Sequence, residues 1–136
     1  MKKIVFISNT FFVLLIFNLF GCAFDVVHVK QVPANFIPAE QGKGSWKLLN
    51  EVNVTLSSGY HRKLKAGTRW NYIGRVEQGD VFNTEDQVLT VEGSNIFEAY
   101  IVVLDGYLQG FYLPVERTFS PLSPPKKLEM EILPKG

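Results

Sequence analysis

The feature that most constrains this chain is Ile96 to Pro114, IFEAYIVVLDGYLQGFYLP, where Asp105 and Gly106 separate two runs of apolar, β-branched and aromatic residues. A two-residue connection of this kind marks a β-hairpin with a type I′ turn, because both central residues then need positive φ and Asp-Gly tolerates it. Ile96 to Leu104 and Tyr107 to Leu113 are therefore expected to pair. The turn sets Leu104 opposite Tyr107, and unbroken continuation sets Val102 opposite Gln109, Ile101 opposite Gly110 and Tyr100 opposite Phe111. Both faces of this hairpin are largely apolar. It belongs at the centre of a small sandwich or barrel, or offers one face to another molecule.

The rest of the chain repeats the strand signal. EVNVTL alternates Val52, Val54 and Leu56 against Glu51, Asn53 and Thr55, a period of two with one wet face. TRWNYIGRV puts Trp70, Tyr72 and Val76 on one side and Arg69, Asn71 and Arg75 on the other. QVLTVEG and LEMEIL alternate likewise, VVHVKQV does so less regularly, and SSG, EQGD, TED and GSN supply turn chemistry between them. The fold class expected is all-β, a small antiparallel sandwich or partly open barrel of about six to eight short strands. The domain covers residues 22–136: an anchor and connector region at 22–45, a main sheet over about 46–119, a Pro-rich link at 120–127 and a last strand at 128–133. Within it, PANFIPAEQGKGS has the composition of a connector, and SPLSPPKK should run as extended polyproline.

Residues 1–21 differ in composition from everything that follows. MKK is a short positive start, and an apolar stretch runs from Ile4 to Phe20, densest at FFVLLIF. This layout fits a secretory signal peptide. The rival is a retained membrane helix of roughly 20 residues, but Ser8 to Thr10 and Asn18 interrupt the stretch and no Lys or Arg cluster follows it.

The apolar stretch ends at the only cysteine, in Leu19-Phe20-Gly21-Cys22. A lone Cys can be an inert core thiol, but this one resembles the lipobox of bacterial lipoprotein precursors: Leu three residues before Cys, a small residue just before it, and Cys closing the apolar region. The resemblance covers Met1 to Cys22 and implies diacylglycerol on the Cys22 sulfur, cleavage between Gly21 and Cys22, and an N-acyl chain such as palmitate on the new amino terminus. Two or more acyl chains hold a protein stably on a membrane where one does not. The residue after the Cys is Ala23 rather than Asp, which in such lipoproteins implies the outer membrane of a Gram-negative cell, with the domain in the periplasm or at the surface. In a Gram-positive cell the same anchor implies the outer leaflet of the plasma membrane. With no second Cys, an exported chain forms no internal disulfide.

Of fourteen Lys and Arg, Lys2 and Lys3 precede Cys22, so twelve face thirteen Asp and Glu beyond it. A net charge near zero argues against nucleic acid as a partner. The charges are segregated, however: Arg62, Lys63, Lys65, Arg69 and Arg75 come before Glu77, Asp80, Glu85, Asp86, Glu92, Glu98 and Asp105. Neighbouring strands are expected to pair these opposite charges, with a bipolar docking surface as the alternative.

No residue set carries an evident chemistry. His28 and His61 lack ligand neighbours at metal spacing, so no metal site is expected, and GKGS lacks the strand and helix of a phosphate cradle. Ser57 and Ser58 lie near His61, but Ser-Ser-Gly is ordinary turn material; an envelope hydrolase would need them to converge with a carboxylate. Glu92, Glu98 and Glu116 sit in or beside apolar strands, where burial would raise their pKa. The sequence therefore points to a non-enzymatic domain without cofactor, apart from covalent lipid, that meets the membrane through its anchor and a protein partner through its sheet. The alternative is a ligand- or glycan-binding module with an aromatic platform formed by Tyr107, Tyr112 and Trp70.

Overall fold

The computed structural model describes residues 28–40, 44–85 and 87–134. Leu19, Phe20, Gly21 and Cys22 lie outside the described residues. The strands are β1 (Val32–Pro33), β2 (Ile37–Pro38), β3 (Ser45–Leu48), β4 (Val52–Thr55), β5 (His61–Leu64), β6 (Arg69–Val76), β7 (Gly79–Thr84), β8 (Thr90–Glu92), β9 (Ile96–Glu98), β10 (Tyr100–Leu104), β11 (Tyr107–Leu113), β12 (Thr118–Lys127) and β13 (Met130–Ile132). The domain is all-β and antiparallel, and no helix occurs among the described residues.

The main sheet has the order β1-β12-β11-β10-β7-β6-β3-β13. Its body is a meander from β6 through β7, β10 and β11 to β12, with two hairpins inserted as excursions: β4–β5 between β3 and β6, and β8–β9 between β7 and β10. Two ties draw β12 back toward β6. The first is the end of the chain. Only Leu128 and Glu129 separate β12 from β13; the Leu128 N–H donates to the Gly106 carbonyl, while the Glu129 carbonyl accepts from the Leu49 N–H. Consecutive residues of an extended chain aim their polar groups at opposite edges. The long last strand thus has β11 along one edge and β3, itself paired to β6, along the other. The second tie is Gln31–Ala39, which pairs with β12 through Val32 and Pro33 and with β6 through Ile37 and Pro38. The sheet curls into a partly open barrel.

Two apolar clusters result. The main core contains Leu48, Trp70, Phe82, Ile101, Leu108, Phe111, Leu113 and Leu128, and the excursions close it with Val54, Leu56, Leu64, Leu89, Val91 and Ala99. A smaller cluster of Val76, Val81, Val102, Tyr112 and Phe119 lies on the other face, covered by Ala34 and Phe36. Phe36 stacks on Tyr112 with ring centroids 5.2 Å apart. The Asp105-Gly106 hairpin is thus central and covered on both faces.

Register departs from the sequence expectation in two places, each at a bulge. In β10–β11, Leu104 pairs with Tyr107 as expected, but Val102 meets Gly110, Ile101 meets Phe111 and Tyr100 meets Tyr112, because Gln109 is left over. In β6–β7 the shift falls between Tyr72 and Gly74. It moves Val76 into the smaller cluster, away from the Trp70 and Tyr72 face that strict alternation assigns it. A bulged strand bends and its ladder shifts by a residue. A glycine follows each bulge where a ring occupies the space a side chain would need: Phe36 at Gly74, and Phe119 at Gly110. SPLSPPKK is extended as expected, but it makes up most of the paired strand β12, with Lys126 opposite Leu108 and Lys127 opposite Tyr107. PANFIPAEQGKGS is likewise more than a connector, since it carries β2 and Phe36.

Candidate functional site

The two excursions leave the barrel at the same end, and a cleft of about 330 Å³ lies there between β5 and the β7–β8 loop. Its walls come from β5 (His61 to Leu64), Lys65, Thr68, Trp70, Thr84, Gln87 and Leu89. The inward face of β5 follows from alternation. Leu64 is buried and faces Val52, so Arg62, two residues earlier and opposite Val54, shares its side of the hairpin. An arginine is thereby placed where the pattern of the neighbouring strand calls for an apolar residue.

The consequence is an unusual pair of donors. Arg62 Nε and Trp70 Nε1 are both buried without a hydrogen-bond partner, and Trp70 is only 1% exposed. Leaving a buried donor unmatched costs about 1–3 kcal/mol, and more for a charged group. The cleft walls bear the cationic side chains of Arg62, Lys63 and Lys65 and, among the described residues, no carboxylate. Lys63 is pulled outward by Glu51 at 3.5 Å, and His61 Nδ1 is 2.8 Å from Thr55 Oγ1 across the hairpin. Arg62 and Lys65 have no ion-pair partner among the described residues.

Beyond Thr84, Gln87 and Leu89, which both share, lies a second cleft of about 400 Å³. This one carries the opposite charge, with Glu85, Glu98 and the Tyr100 hydroxyl in its walls. The Thr84 hydroxyl donates to the Gln87 carbonyl and holds the divide. The Tyr100 hydroxyl donates to Glu98 Oε1 at 3.4 Å. Its pKa is raised by burial first, then by the Glu98 charge and hydrogen bond. Burial also raises Tyr112, against a smaller lowering by Arg117.

The residues singled out in the sequence are dispersed. Trp70 is buried in the main core, Tyr112 in the smaller cluster on the other face, and Tyr107 is 45% exposed beside the β10–β11 turn. They form no common aromatic platform, because Trp70 on β6 and Tyr112 on β11 enter opposite cores of a doubly covered sheet, and Tyr107 stays at the turn end of β11. Ser58 Oγ accepts from the Tyr60 N–H within its own turn. Glu98 and Glu116 are exposed and Glu92 is half-buried. Of the segregated charges, Arg75 and Asp80 stand opposite each other in the β6–β7 register, whereas Lys63 pairs with Glu51, an acid outside that set. Among the described residues no group of three or more His, Cys, Asp or Glu is placed to hold a metal ion. Sequence reasoning passed over Arg62, although a cation in phase with Leu64 on an alternating strand is a readable signal.

Comparison with known protein families, with curated proteins and with solved structures finds no match to this chain.

Proposed function

We propose that this protein is a lipid-anchored lipoprotein of the cell envelope, with residues 1–21 as its signal peptide, Cys22 as its lipid attachment point and the β domain as a non-enzymatic interaction module. The observation that carries the reading is the coincidence, in Met1 to Cys22, of a basic start, an apolar run and a Leu-Phe-Gly-Cys junction. The domain suits such an anchor. Its first strand begins at Val32, ten residues beyond Cys22, and a chain of that length reaches at most about 35 Å. The barrel therefore sits close to the bilayer surface and meets what lies there. Ala23 after the Cys favours the outer membrane in a Gram-negative cell. The non-enzymatic part is supported by the use of His61 and Ser58 in holding their own hairpin.

Metabolic labelling tests the anchor. With labelled palmitate in the growth medium, the wild-type chain is expected to take up label and Cys22→Ala none. An unlabelled wild-type protein in cells that lipidate a control lipoprotein overturns the proposal.

A further inference from the structure

We infer that the mouth of the barrel at its turn end is a binding site for a small amine, a ligand with an ammonium group on an apolar carbon chain. The β4–β5 and β8–β9 excursions leave one end of the sheet, whereas the β6–β7 and β10–β11 turns lie at the other. At that turn end a cavity of about 230 Å³ opens between β3, β7, β10 and β13. Trp46, Phe82, Val103, Leu128 and Met130 line it. Phe82, Val103 and Leu128 belong to the main core, and Trp46 and Met130 are half-buried against it. The core is thus open to a ligand here. Trp46 meets Phe82 edge to face with ring centroids 6.0 Å apart, which makes one wall aromatic.

The charged groups in the walls are the carboxylates of Asp80 and Asp105, both on exposed residues and so at the rim. Among the described residues no Lys or Arg lines the cavity, and neither aspartate has an ion-pair partner. Arg75, opposite Asp80 in the β6–β7 register, forms no ion pair with it. A mostly apolar cavity with a few converging polar groups is the usual form of a small-ligand site, and barrel mouths are among its usual places. The charge selects the ligand. A neutral chain entering the cavity would draw water from the two carboxylates without compensation. An anion would meet like charge. An ammonium group at the rim offsets both carboxylates with charge-assisted hydrogen bonds while its carbon chain covers the core, and aromatic ring faces attract a cation as well. The site stands whether or not Cys22 carries lipid.

The test follows the indole N–H resonances of Trp46 and Trp70 by proton–nitrogen correlation NMR on the ¹⁵N-labelled full chain in detergent. Trp46→Phe assigns the two peaks. Butylammonium chloride, butanol and sodium butyrate share one carbon chain and differ in charge, and each is titrated at neutral pH and constant ionic strength. The Trp46 peak is expected to shift saturably with butylammonium, while Trp70, only 1% exposed, stays in place. Butanol should bind about tenfold more weakly, and butyrate more weakly still. Asp80→Asn combined with Asp105→Asn should remove the preference for butylammonium over butanol. Asn-Gly suits a type I′ turn as well as Asp-Gly does, so the hairpin survives the change. A Trp46 peak that does not move with butylammonium overturns the inference. So does equally tight binding of butanol or butyrate, or a doubly substituted protein that retains its spectrum and binds butylammonium as tightly as wild type.

Discussion

Gly106 and Gly110 are four positions apart in one hairpin, yet a methyl group added to each has different consequences. At Gly106 the space is open, and only the positive φ of 80° resists, following Asp105 at 52° in the type I′ turn. Gly106→Ala is expected to lose about 1 kcal/mol of stability, the cost of a left-handed conformation for a residue with a Cβ. At Gly110 the added carbon would overlap the Ser120 carbonyl and stand 2.9 Å from the Phe119 ring. Gly110→Ala is expected to lose about 3 kcal/mol, because backbone must move. Urea midpoints of the two variants separate these cases, and equal losses would refute the contrast. Tyr112 and Tyr100 make a second residue-scale prediction. Burial raises both phenols. The unfolded chain then ionises first, near pH 10, while the folded chain still holds its protons, so stability is intact below about pH 10 and falls above it. Tyr112→Phe should flatten that fall when urea midpoints are followed from about pH 9 to pH 11; an unchanged slope would count against it.

At the scale of elements, the segment Gln31–Ala39 acts as a strap. It is bonded at both ends, by Thr118 Oγ1 to Gln31 Oε1 at 2.8 Å and by the Ala39 N–H to the Ile73 carbonyl at 2.9 Å. Phe36→Ala removes the ring that covers Gly74 and stacks on Tyr112. The expected loss is about 2 kcal/mol, below that of a fully buried Phe because Phe36 is half-buried. Chemical denaturation measures it, and stability equal to wild type would show that the smaller cluster needs no cover. This element was illegible in the sequence, since PANFIP has no alternation and its two prolines suggest linker. The hairpin around Asp105-Gly106 was legible because its turn needs only two residues of the right kind. Its register beyond Leu104 and Tyr107 was not, because a bulge at Gln109 is set by what lies across the sheet, the Ser120 carbonyl and the Phe119 ring against Gly110. The alternation at β6 misassigned Val76 for the same reason.

At the scale of the molecule, the partly open barrel follows from where the chain returns. Leu128 bonds to the β10–β11 turn and Glu129 to the loop after β3, so one short link joins the two ends of the meander. The all-β class was legible because period-two alternation is local, whereas closure and the cleft depend on contacts between distant segments. The Trp70 indole, expected as part of a platform, is instead buried in the main core with its N–H unpartnered. Function divides along the same line. The proposed function rests on a short N-terminal stretch, while the barrel contributes two neighbouring clefts with walls of opposite charge. The central claim is the attachment at Cys22, and the intact mass of the full chain, expressed in a lipoprotein-processing bacterium and extracted from its membranes, tests it most directly. The account predicts a product that begins at Cys22 and carries diacylglycerol together with an N-linked acyl chain. A membrane-extracted protein that keeps residues 1–21, or that has lost them with Cys22 unmodified, would contradict it.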